Sequence, residues 1–75
     1  MSRPYLEQLN DTASEHNLHI GLRPKGRYWL LFAVRPGSDE IVNELVAKDL
    51  HGGLDAAAHI LRAWIENDLY KGAKQ

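Results

Sequence analysis

With 75 residues, 44% of them hydrophobic and 25% charged, the chain has room for one domain, residues 1–75, and for a single small core. A net charge of −1 argues against a polycation that coats nucleic acid, and the absence of cysteine excludes disulfides and thiolate metal sites. A chain of this size buries only about 60% of its unfolded surface, so its stability margin is thin unless it associates.

The spacing predicts a first helix over 4–16. Pro4 suits a first turn, Leu6, Leu9 and Ala13 form one apolar stripe, and Asn17 is placed to end the helix in a left-handed conformation. Residues 18–35 then read as a β-hairpin. Pro24, Lys25 and Gly26 fit a three-residue loop that pairs Arg23 with Arg27. In that register Leu18, Ile20 and Leu22 share a face with Tyr28, Leu30 and Phe32, which is therefore the face expected to pack on helices. The opposite face carries His19, Gly21 and Arg23, then Trp29, Leu31, Ala33 and Arg35, with the Trp29 indole expected to lie across Gly21.

After a turn at Pro36 and Gly37, Ser38 can cap a second helix, with Asp39 and Glu40 in its first turn and Ile41, Val42, Leu45, Val46 and Leu50 as its apolar face. Glu44 and Lys48 form an i,i+4 pair on its outer side. A third strand over residues 41–47 is the competing assignment; it is disfavoured because Glu44 and Lys48 would then share a face with Val42 and Val46. His51, Gly52 and Gly53 break the segment. A last helix is expected from Leu54 or Asp55 to Tyr70, with Leu54, Ala58, Leu61, Ile65 and Leu69 as its ridge, a stop at Lys71 and Gly72, and a loose tail over 73–75. The expected class is thus α+β, an antiparallel β-hairpin packed on helices in the order α-β-β-α-α, with a three-stranded meander as the alternative.

The strand from Arg27 to Arg35 is apolar on both sides, so both sides need cover. Trp29 and Leu31 ringed by His19, Arg23, Arg27 and Arg35 have the composition of a protein-contact hot spot, and these six residues are the candidate partner-binding set. The charges are segregated. Residues 16–38 hold Arg23, Lys25, Arg27 and Arg35 and no acid, whereas 39–55 hold Asp39, Glu40, Glu44, Asp49 and Asp55 against Lys48 alone. A non-catalytic protein-binding module follows. It is expected to pair with another protein or a homodimer mate through the Trp29 face or the acidic segment 39–55. The job that fits is a regulator or inhibitor of a larger macromolecular complex, for example a phage- or plasmid-encoded blocker of a host defence system. The alternative is a single-stranded nucleic-acid binder using Arg23, Lys25, Arg27, Trp29 and Arg35 of the basic, aromatic hairpin.

Other chemistry is poorly supported. His16 and His19 straddle a helix end and a strand start, with no acidic pair nearby to complete a metal site. Ser14 and Ser38 lie in no nucleophile elbow, and the Gly52-Gly53 turn lacks the Lys-Ser/Thr of a phosphate-binding loop. No enzyme activity, cofactor or small-molecule substrate is expected. No apolar run approaches the roughly 20 residues of a membrane span, and Met-Ser-Arg-Pro opens no signal-peptide core, so the expected location is cytoplasmic.

Overall fold

Leu6, Leu9 and Ala13 share one side of helix α1, Tyr5–Glu15, with Leu9 and Ala13 sealed from solvent. The computed structural model describes residues 4–48 and 52–73. Asn17, at φ 59°, ends α1 as expected. Its N–H donates to the Ser14 carbonyl at 3.0 Å and the Leu18 N–H donates to the Ala13 carbonyl at 2.7 Å, a pattern that satisfies the last free carbonyls of a helix.

The chain then forms β1 (His19–Lys25) and β2 (Tyr28–Val34), antiparallel, joined by Gly26 and Arg27 alone. Gly26 at φ 61° occupies the first central position of a two-residue turn, where a left-handed glycine matches the twist of the strands. Pro24 is not in the loop. It lies within β1 opposite Trp29, and β1 is an edge strand, where proline leaves no inward ladder bond unmade. This corrects the expected register. Arg23 faces Leu30 rather than Arg27, Leu22 faces Leu31, and Gly21 faces Phe32. The slip is three positions, and an odd slip turns one strand over relative to the other.

Residues Ile41–Ala47 form a third strand, β3, beside β2, so the predicted second helix is replaced by the meander and the order is α-β-β-β-α. A bulge removes half of the objection from the sequence, the half that concerns Val42. Ala33 pairs with Asn43 and Val34 with Ile41, which leaves Val42 as an extra residue on β3. Val42 thereby drops into the core at 5% exposure, while Glu44 and Val46 share the other, solvent-facing side. Ser38 caps no helix; its Oγ accepts the Glu40 N–H at 3.1 Å in the turn before β3. The i,i+4 geometry for Glu44 and Lys48 disappears with the helix, and Asp49, Leu50 and His51 lie outside the described residues.

Helix α2, Gly52–Glu66, presents Ala57, Ala58, Leu61 and Ile65 to the core. It stops earlier than expected. Asp68 adopts φ 57°, with its N–H on the Ile65 carbonyl at 3.0 Å and the Leu69 N–H on the Trp64 carbonyl at 2.8 Å. Leu69, expected on the apolar ridge, is instead 61% exposed. The segment beyond it straps the sheet. Lys71 N–H donates to the Val42 carbonyl at 2.9 Å, Asn43 donates to the Leu69 carbonyl at 2.9 Å, and the Lys71 ammonium meets Glu40 at 3.0 Å. Of the expected loose tail, Ala73 donates its N–H to the Tyr70 carbonyl, and residues 74–75 lie outside the described part. The helices pack on each other through Tyr5 against His59, ring centroids 4.7 Å apart, and through Arg62, which donates to Thr12 Oγ1 at 3.3 Å. Both helices cover the same side of the sheet, the side of Leu31, Ala33 and Ala47.

Candidate functional site

Side chains alternate across a strand, so the helix-covered side fixes the composition of the other. Trp29, Leu31 and Ala33 of β2 pack with the core, which puts Tyr28, Leu30, Phe32 and Val34 on the open side. The same count puts His19, Gly21, Arg23 and Lys25 of β1 there, together with Glu44 and Val46 of β3. Cross-strand rows then read Lys25–Tyr28, Arg23–Leu30–Val46 and Gly21–Phe32–Glu44.

No element among the described residues covers this face, yet its centre is apolar. Leu30 is only 7% exposed, screened by its sheet neighbours rather than by a helix, while Tyr28 and Val46 are 43% and 39% exposed. Gly21 is required here because the Phe32 ring lies where its Cβ would stand. The guanidinium of Arg23 then sits over the outer surface of that ring, Cζ 5.1 Å from the centroid, in a cation–π stack. Glycine, phenylalanine and arginine form one pile, and Phe32 rather than Trp29 protects the strand glycine.

The residues expected at the contact site divide between the two faces. His19 and Arg23 lie exposed on the open face, and Lys25 and Arg27 lie exposed at its hairpin end. Leu31 is fully buried and Trp29 half-buried, both packed with the helix-covered core, so this chain's own helices cover them. Leu22 and Pro24 at the β1 edge of that side stay exposed. Arg35 is engaged elsewhere, donating to the Lys71 carbonyl at 2.9 Å beside Gly72. Tyr28, Leu30, Phe32 and Val46 are the open-face residues that sequence reasoning placed inside or in a helix. The available signal was glycine at the first position of a possible two-residue turn. That reading sets Gly21 against Phe32.

Among the described residues the acidic segment does not form one surface. Asp39 and Glu40 lie in the loop before β3, Glu44 on the open face, and Asp55 in the first turn of α2. Beside the outer edge of β3, an apolar groove of about 340 Å³ runs between Leu45, Val46 and Lys48 and the Ala56, Ala57 and Ile60 side of α2. A polar hollow of about 440 Å³ lies at the end of α1. There His16 Nδ1 is 3.3 Å from the Tyr70 hydroxyl and 3.7 Å from Asp68, a cluster that ties the C-terminal strap to α1. Among the described residues, no group of three His, Asp or Glu side chains is placed to hold a metal ion. No helix there is long and apolar enough to cross a membrane.

Comparison with protein-family models, with curated proteins and with solved structures finds no match to this chain. The arrangement of its own residues therefore carries the functional argument.

Proposed function

We propose that this chain is a non-catalytic protein-binding module that works through the open face of its sheet, as a regulator or inhibitor of a larger assembly. A small blocker of a host defence complex is one form such a protein takes. One observation carries the reading: Leu30 and Phe32 form an apolar centre, bordered by exposed Tyr28 and Val46, on a face that the described residues leave uncovered. Contiguous apolar surface rimmed by charge is what a protein interface looks like before its partner arrives. The rim here is Arg23 and Lys25 on one side and Glu44 on the other.

A single-stranded nucleic acid is the second reading, favoured by the exposed Tyr28 ring directly opposite Lys25 and next to Arg27. Base stacking needs free ring faces in series. Phe32 has none to offer, with Gly21 beneath it and Arg23 above. Tyr28 alone is a short platform, and the protein reading is the stronger.

The test compares tagged wild-type protein with a Tyr28→Ser/Val46→Ser double variant in capture from a bacterial lysate, after thermal melting has shown that the variant folds. Proteins retained by the wild type and lost by the variant support an open-face contact. Identical retention by both sinks it. Binding of a labelled single strand that weakens steeply with salt transfers the assignment to nucleic acid.

A further inference from the structure

We propose that the occupant of the open sheet face is a second copy of this chain, packed sheet to sheet about a twofold axis along β2, with Arg23 of each copy against Glu44 of the other. The proposal rests on the reading of that face as a protein-contact surface and names what sits on it.

The open face is complementary to itself. β2 is the central strand, so a twofold axis laid along it between two facing sheets sets β2 over β2 and β1 over the partner's β3. Leu30 then meets its own image, with the Phe32 ring and its Arg23 cap alongside. The cationic strand of each copy meets the strand bearing Glu44 of the other. The level also agrees. Arg23 belongs to the Leu30 row, but its guanidinium is carried over the Phe32 ring, and Phe32 is the β2 partner of Glu44. Rotation about the axis places the second copy's Glu44 above the Gly21 side of that same row. Gly21 has no side chain to stand in the way, and the guanidinium is already held there by the stack.

Both charges are unspent. Among the described residues neither the Arg23 nor the Glu44 side chain has an ion-pair partner, whereas His16–Asp68, Arg62–Glu66 and Lys71–Glu40 pair elsewhere on the molecule. Within one copy the two belong to the outer strands, with β2 between them.

Size sets the strength. Three strands of seven residues, about 4.8 Å apart and rising about 3.3 Å per residue, give a footprint of roughly 14 by 23 Å. That is well below the roughly 800 Å² per partner of a standard interface, so the association belongs to the weak, concentration-dependent class.

The experiment is sedimentation equilibrium of the full chain from about 10 µM to 1 mM, the range in which weak interfaces dissociate. The set is wild type, Arg23→Glu, Glu44→Arg and the double reversal, each checked for folding by thermal melting at the lowest concentration. The expected result is a wild-type mass rising from 8.5 kDa toward twice that value. Each single reversal should weaken association about tenfold or more, and the double reversal should recover most of it, because the pair is remade with opposite polarity.

A dimer indifferent to both single reversals, or not restored by the double, overturns the proposal by placing the interface elsewhere. A wild type that stays at 8.5 kDa throughout also overturns it. In that case, loss of lysate partners in the Tyr28→Ser/Val46→Ser variant leaves the open face as a contact for a different protein, whereas unchanged capture removes the contact surface altogether. Single-strand binding lost in Arg23→Glu and not regained in the double reversal assigns the face to nucleic acid and likewise ends the dimer proposal.

Discussion

Leu30 and Leu31 are neighbours on the same strand, identical in side chain and both buried, at 7% and 0% exposure. Their burial has different causes. Leu31 is enclosed by the two helices and sits in the core cluster with Leu9, Leu61 and Ile65. Leu30 lies outside that cluster, between Arg23 and Val46 in its row, with no second layer above it among the described residues. Exposure alone does not separate a core residue from the centre of a contact surface; the kind of cover does. A rigid layer leaves a hole when a side chain is trimmed, whereas a rim of flexible side chains closes over the gap.

The widest gap between the two faces should therefore appear in that pair. Leu31→Ala is expected to lower the unfolding free energy by about 2–5 kcal/mol, because the helices cannot collapse into the vacated space. Leu30→Ala should cost roughly 1–2 kcal/mol, the transfer term without a full cavity. Urea denaturation of both variants at low protein concentration measures the difference. Equal losses would mean that the open face is covered after all.

Trp29 and Tyr28 sharpen the contrast by one position. Trp29→Ala is expected to cost about 3 kcal/mol, at the low end for a tryptophan because the indole is only half-buried. Tyr28→Ser should stay within about 0.5 kcal/mol of wild type in stability, yet weaken any contact made by the open face. A Trp29 variant that keeps its stability and loses partners would restore the opposite orientation of the sheet.

That orientation is where the expected register failed, for a physical reason. β2 is apolar at every position from Tyr28 to Val34, so either register buries a greasy row and the hydrophobic pattern cannot choose. The turn decides, and both Pro24-Lys25-Gly26 and Gly26-Arg27 are acceptable turn sequences. Only the fit of Phe32 over Gly21 favours the second, and that is a tertiary contact. The third strand was hidden by the bulge at Val42, which breaks the alternation that identifies a half-buried strand. By contrast, α1, its Asn17 stop and the Ala58–Leu61–Ile65 ridge were legible, because each depends on spacing within one element. Of the contact set, His19 and Arg23 were placed on the open face and Trp29 and Leu31 were not, for the same reason of register.

The Gly21–Phe32 contact gives an intermediate effect that reports on the open face from inside the fold. Gly21→Ala drives a methyl group into the Phe32 ring and should cost about 1–3 kcal/mol through overpacking. In a Phe32→Ala background the same substitution should be nearly neutral, so the double-mutant cycle should show coupling of 0.5 kcal/mol or more, on the order expected for residues in contact. Because Arg23 stacks on the same ring, Phe32→Ala also frees the guanidinium, and association through this face should weaken with it.

The smallest effect belongs to the helix layer and should leave the open face untouched. Asn17 holds φ 59°, where a Cβ crowds the following carbonyl; asparagine tolerates the position because its short polar side chain can bond locally. Asn17→Ala keeps the crowding and loses that compensation, and should cost about 1 kcal/mol. Asn17→Gly removes the crowding and adds freedom to the unfolded chain, so the two changes should cancel to within about 0.5 kcal/mol. Neither variant alters a side chain on the Arg23–Phe32–Glu44 row, so self-association measured below the melting range of both should not change. If Asn17→Ala shifted association as much as stability, the two faces would not be the separate parts that Leu30 and Leu31 indicate.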